Sequence, residues 1–174
     1  MRKLLFITPG LFLMFCLWFV GCTNQNQSQS YKETEKLHQD SVIQFINGYV
    51  DEIWNKGDFS KAEKYWGPDF RNGFAPELKI GPDGMREQIK PFLASFDSIH
   101  FKIGDIMVDG NKVSFWVEIT AIHTGEFMGI PPTNKPVKFR EAAWYEMKDG
   151  KLDVVYGFVD WMMFFEQIGQ FPEM

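Results

Sequence analysis

After Phe96 the apolar residues of this chain stop recurring every three to four positions and begin to alternate, and they keep alternating almost to the end. The runs at 99–108, 111–122, 135–147 and 151–163 are rich in β-branched and aromatic residues. A half-buried strand needs that pattern and an amphipathic helix cannot use it. Asp109-Gly110 and Asp149-Gly150 separate the first pair and the last pair, and Asp-Gly tolerates the positive φ of a two-residue hairpin turn. Four sequential antiparallel strands are therefore predicted. Upstream the period is helical. Val42, Phe45, Ile46, Tyr49, Val50, Ile53 and Trp54 form a stripe between Thr34 and Asn55, with Gly57 as a stop. Asp58 or Ser60 can cap a short second helix, which must end at residues 67–70 because Pro68 cannot continue it. A third helix carries Met85, Ile89, Phe92 and Phe96 on one face, and Pro91 predicts a kink or an early end there. Three helices followed by a meander predict a single α+β domain over residues 31–174, with the helices on one face of the sheet.

The amino-terminal part is a different object. Arg2 and Lys3 precede an apolar run from Leu4 to Val20, followed by Gly21 and Cys22. That layout reads as a signal peptide over residues 1–21, and "FVGC" resembles a lipobox in which Cys22 becomes the lipidated mature terminus, although Phe19 stands where such motifs prefer leucine. An uncleaved helical anchor is the competing reading, against which the shortness of the apolar run counts. Either way the domain is expected outside the cytoplasm, tethered to a cell membrane or an outer membrane. Residues 22–30, Cys22 and then a polar stretch without an apolar residue to bury, read as a flexible spacer. With Cys16 removed, no second cysteine is left for a disulfide. A net charge of −5 without any basic stripe excludes nucleic acid as a partner.

One stretch before the third run, "HTGEFMGIPPTNKPV" at 123–137, is unlike the strands around it. It resembles the segment H-x-G-x-F-x-G-x-P-P-T-G-K-x-V of the SnoaL-like polyketide cyclase and ester cyclase group in the nuclear-transport-factor-2-like superfamily, with Asn134 in place of a glycine. "DGK" at 149–151, Asp160, "QIGQFP" at 167–172 and, more weakly, "WNKGDF" at 54–59, "PDF" at 68–70 and "GPDGMR" at 81–86 match in the same order. The resemblance implies a cone-shaped, curved antiparallel sheet closed by three N-terminal helices around a deep apolar pocket. It also implies that the 123–135 stretch connects two long strands at the mouth of the cone. It further implies catalysis without a metal or organic cofactor, with Asp160 at the position of the family's general acid and base. Three family positions differ: Val154 and Tyr156 replace the glutamate and tryptophan of the last strand, and Gly73 stands where a histidine often follows "PDF".

Strict alternation in the last run places Leu152, Val154, Tyr156, Phe158, Asp160 and Met162 on one face, which the resemblance makes the cavity face. Burial there would raise the proton affinity of Asp160 towards the range of proton transfer. The alternative is that Asp160 bonds backbone donors at the end of the strand. His123 or Tyr156 would then stabilise an oxyanion, unless His123 simply ends a strand at the surface. Trp54, Asn72 and Trp144, with Val154 and Phe158, are the expected pocket wall. His123 and Glu126 have no third ligand at useful spacing, so no metal is expected. Three functions fit: cofactor-free acid/base chemistry on a small apolar carbonyl compound, binding of a small apolar ligand, or an interaction domain whose outer sheet face makes a homodimer.

Overall fold

The computed structural model describes residues 13–171, with side chains from residue 27 onward. The start of the expected signal peptide, residues 1–12, and the Cys22 side chain lie outside the described residues. The chain divides into two compact units, Met1–Asp40 and Ser41–Met174. Helix α1 (Leu13–Tyr49) opens the described residues, and its side chains from residue 27 to His38 are exposed. The helical backbone includes residues 23–30, where a flexible spacer was expected. A segment without an apolar stripe offers periodicity nothing to detect, while backbone hydrogen bonding can continue through it. Among the described residues no helix is long and apolar enough to cross a membrane.

In the second unit Val42, Ile46 and Tyr49 are buried from α1, and Val50 and Ile53 from the π-helical turn Val50–Asn55 that continues it. A 3-10 turn (Phe59–Lys61), capped by the Asp58 carboxylate accepting the Ser60 N–H, leads into the short α2 (Ala62–Tyr65). Residues 66–72 are not only a helix end: Trp66–Asn72 is strand β1. Pro68 is tolerated because β1 lies at the sheet edge and pairs on one side alone. Helix α3 (Gly81–Ala94) neither ends nor breaks at Pro91, which sits in its last turn, where Ser95 Oγ donates to the Pro91 carbonyl at 3.0 Å.

Strands β2 (Phe96–Asp109), β3 (Lys112–His123), β4 (Pro136–Lys148) and β5 (Lys151–Val159) follow. The sheet order is β1-β5-β4-β3-β2, with β1 parallel to β5 and the other neighbours antiparallel. The curved, unclosed sheet carries helices on one face, which is the α+β class expected. Asp149 (φ 52) and Gly150 (φ 74) are the two central residues of the second hairpin. The first hairpin turns one residue later than expected: Asp109 still pairs with Lys112, leaving Gly110 (φ 56) and Asn111 at the centre. The 124–135 connection is not helical and contains a small bridge between Phe127 and Ile130. The last run does not stay extended to residue 163. It ends at Val159 and a fourth helix, α4 (Trp161–Ile168), begins, with Asp160 as its cap and Gly169 (φ 72) as its stop.

Candidate functional site

Strand β4 determines the centre of the site. Its buried positions alternate as Val137, Phe139, Ala143 and Tyr145, and the residue that keeps this parity between Phe139 and Ala143 is Glu141. An acid therefore points to the inner face, into a cavity of about 310 Å³. Tyr49 and Trp54 enter it from the first helical stretch. They are five residues apart, and a π turn brings residues at that spacing to one face as an α turn would not. Helix α3 contributes Gln88, Ile89 and Phe92, α4 contributes Trp161, and Asn72 and the β5 residues Val155, Gly157 and Val159 complete the wall. No lysine, arginine or histidine lines it.

Among the described residues no donor bonds the Glu141 carboxyl. The protein packed around it raises its pKa from 4.5 to about 7 through desolvation alone. Gly157 gives it room: a Cβ there would lie 2.5 Å from Glu141 Oε1. The Tyr49 and Tyr145 rings meet edge to face at 5.9 Å, and Tyr145 stacks on Phe115 at 5.5 Å. Burial pushes the phenol pKa of Tyr49 up and that of Tyr145 well above 10, so both hydroxyls remain donors. One carboxyl poised near neutrality and two neutral phenols share a chamber whose other walls are mostly apolar, apart from the amides of Asn72 and Gln88.

The family model described as SnoaL-like polyketide cyclase matches residues 44–168. The chain belongs to the SnoaL-like polyketide cyclase family. Solved structures with this fold include TsrD from Streptomyces laurentii, 20% identical over 76% of this chain and 97% of that one, with a TM-score of 0.70. A SnoaL-like polyketide cyclase from Agrobacterium tumefaciens is 18% identical over 72% and 95%, with a TM-score of 0.64. AclR from Streptomyces galilaeus is 23% identical over 76% and 98%, also at 0.64. Identities this low speak for the fold alone. No curated protein matches the chain in sequence.

In this SnoaL-like domain the residues expected at the site are divided. Trp54 and Asn72 line the cavity. Tyr156, Phe158, Trp144 and Val154 do not, which corrects the assignment of the inner face. The pairing of β5 with β4 skips at Asp153: Met147 faces Leu152, but Glu146 faces Val154. This bulge shifts the register by one residue, so Leu152 stays inside while Val155, Gly157 and Val159 replace Val154, Tyr156 and Phe158 on the inner face. Tyr156 stacks on Trp144 at 5.0 Å on the outer face, and Phe158 is exposed. Val154 is buried outside the main core cluster.

Asp160 is exposed, and its carboxylate accepts the Met163 N–H at 3.0 Å as the cap of α4. The backbone-bonding alternative describes it. His123 is fully buried, not at the surface, and does not line the cavity. Its Nδ1 lies 3.1 Å from Thr133 Oγ1, and its ring packs on Phe96 and Phe164. Nε2 makes no hydrogen bond of ordinary geometry. Burial lowers the imidazole pKa more than the nearby Gly125 backbone raises it. Among the described residues no cluster of metal ligands occurs. Glu141, Tyr145, Tyr49 and Trp161 were not expected at the site, although alternation in β4 already pointed Glu141 inward with Phe139 and Tyr145.

Proposed function

We propose that this SnoaL-like domain carries out cofactor-free acid/base chemistry on a small apolar carbonyl compound, with Glu141 as the proton-transfer group. The observation that carries the reading is a carboxyl without a partner, its pKa raised to about 7, inside a largely apolar cavity. At neutral pH such a group is present both as acid and as base, which suits proton transfer in both directions. The Glu141 carboxylate takes a proton from the carbon next to the substrate carbonyl, and the electron pair moves onto oxygen as an enolate. Tyr49 or Tyr145 donates a hydrogen bond to that oxygen. Where the substrate is an unsaturated ketone the enolate is a dienolate, and protonated Glu141 returns the proton to its far carbon, an isomerisation; where it is a dicarbonyl the enolate carbon attacks the second carbonyl of the same molecule and protonated Glu141 delivers its proton to the new alkoxide, an aldol cyclisation. A volume of about 310 Å³ is at the small end of ligand pockets and suits a compact substrate.

The test is deuterium incorporation next to the carbonyl of small cyclic ketones and 1,3-diketones in heavy water, followed by NMR. Exchange by the wild type that Glu141→Gln loses supports the reading; undiminished exchange in Glu141→Gln overturns it. A second reading, ligand binding without turnover, is favoured by one observation: the acid at the family's catalytic position, Asp160, caps a helix outside the cavity. Ketones that bind without exchange would establish that reading instead.

We also propose that the domain is exported and lipid-anchored through Cys22. Arg2, Lys3, the apolar run and the Gly21-Cys22 junction support this. Mass spectrometry decides it: a diacylated Cys22 terminus is expected, and an intact Met1 terminus refutes it.

A further inference from the structure

Among the described residues, five aromatic rings line the cavity around Glu141, and each comes from a different element: Tyr49 from α1, Trp54 from the π-helical turn, Phe92 from α3, Tyr145 from β4 and Trp161 from α4. Adjacent rings cross steeply. Trp54 and Phe92 lie 6.4 Å apart at 75°, Phe92 and Trp161 6.4 Å apart at 68°, and Tyr49 and Tyr145 5.9 Å apart at 81°. Rings set in this way wall the chamber with planes that meet at corners, not with one flat stack. An aromatic face carries partial negative charge and attracts a cation that lies within about 6 Å of its centroid. Glu141 adds an acid to this surface, and no lysine, arginine or histidine among the described residues lines the cavity to offset it. The whole chain is also acidic, with a net charge of −5, which favours the approach of cations.

We propose that this chamber binds a small organic cation of the quaternary ammonium class, its methyl groups against the rings and its charge against the Glu141 carboxylate. This goes beyond proton transfer and does not rest on it, since it needs the ionised acid and the rings but no turnover. The chemistry of the walls selects the class. A quaternary ammonium has no N–H and asks for no hydrogen bonds, and ring-lined walls offer faces in place of lone pairs. A metal ion asks for several oxygen ligands at once, whereas the cavity supplies one carboxylate, two phenols and two amides, and Asn72 Oδ1 already accepts the Phe74 N–H at 3.0 Å. An anion would meet the carboxylate with no positive group beside it. A volume of about 310 Å³ suits a trimethylammonium head with a short tail.

Cation binding and protonation exclude each other at Glu141. The cation pairs with the carboxylate alone, and the pKa of that group is about 7. Affinity is therefore constant well above pH 7 and falls about ten-fold per pH unit well below it. Between pH 8 and pH 6 the drop is about ten-fold, and binding at pH 6 expels nearly one proton. The other titratable groups facing the cavity are Tyr49 and Tyr145, whose pKa values burial pushes above 10, so both stay neutral throughout that range.

Calorimetric titration of the full chain, in non-ionic detergent, with choline and with its uncharged isostere 3,3-dimethylbutan-1-ol tests the proposal. At pH 8 choline should bind about 30-fold more tightly than the alcohol. Glu141→Gln should weaken choline about ten-fold and leave the alcohol within about two-fold, which a collapsed cavity would not allow. Trp161→Leu should weaken choline more than the alcohol, and choline affinity should fall about ten-fold from pH 8 to pH 6 with release of a proton. Tetramethylammonium should bind more tightly than methylammonium. Equal affinity for choline and the alcohol overturns the proposal, and so does choline binding that is indifferent to Glu141→Gln, or a preference for methylammonium. The ketone reading fails or stands separately: exchange into ketones without choline binding removes this proposal alone, and choline binding without exchange upholds it while removing that reading.

Discussion

Glutamine at position 141 keeps the shape of the side chain and removes its charge, so Glu141→Gln isolates the electrostatics of the cavity. The folded-state pKa of Glu141 lies near 7, against an ordinary value of 4.5. Between those values the folded chain holds a proton that the unfolded chain has already released. Stability therefore falls as pH rises through that window, by about 1.4 kcal/mol per pH unit. The whole loss is about 3 kcal/mol, fully developed above pH 7 and absent below pH 4.5. Glutamine has no such loss, but its amide must find partners at every pH, a cost of about 1–3 kcal/mol that does not vary with pH. The prediction concerns the difference between the two proteins: Glu141→Gln should gain about 3 kcal/mol relative to wild type between pH 4.5 and pH 8. Urea unfolding at half-unit pH steps, followed by tryptophan fluorescence and circular dichroism, measures it. A difference independent of pH would refute the raised proton affinity, and with it the basis for assigning proton transfer to Glu141.

His123 should act in the opposite sense. Its folded-state pKa is held below 6.5, so as pH falls the unfolded chain takes up the proton first, and the stability present above pH 6.5 is lost as pH falls through the folded value. In the Glu141→Gln background, His123→Leu should flatten the melting temperature between pH 7.5 and pH 5; an unchanged slope would place the acid sensitivity elsewhere. Asp160→Ala should lower stability by about 1 kcal/mol through loss of the α4 cap and leave deuterium exchange intact, as melting and NMR assays of one sample would show. Gly157→Ala would place a Cβ 2.5 Å from Glu141 Oε1, so the carboxyl must turn away. Exchange should fall at least ten-fold with the fold retained, and an NMR titration of Glu141 should show an altered pKa.

The strand content of residues 96–159, three of the helices, the second hairpin turn and the family were legible in the sequence because they rest on local causes. Alternation, helical stripes, Asp-Gly chemistry and motif order all act over a few residues. Even Glu141 was within reach, since β4 alternates without interruption from Val137 to Tyr145. What tertiary structure alone decided follows from pairing between strands and packing between elements. Trp66–Asn72 became a strand because β5 offered it an edge, where Pro68 does no harm. The skip in pairing at Asp153 turned Tyr156 and Phe158 outward and Gly157 inward, and no periodicity within β5 announces a bulge that is defined only against β4. Asp160 left the strand because the chain there begins a helix that packs on the sheet, which gives its carboxylate a backbone donor to cap. His123 ended buried for the same reason, beneath Phe164 of that helix. A single sequence states which residues are apolar and which turns are easy; the side of a sheet on which a residue finishes depends on how its strand registers against its neighbours, even when the neighbour is the other arm of the same hairpin.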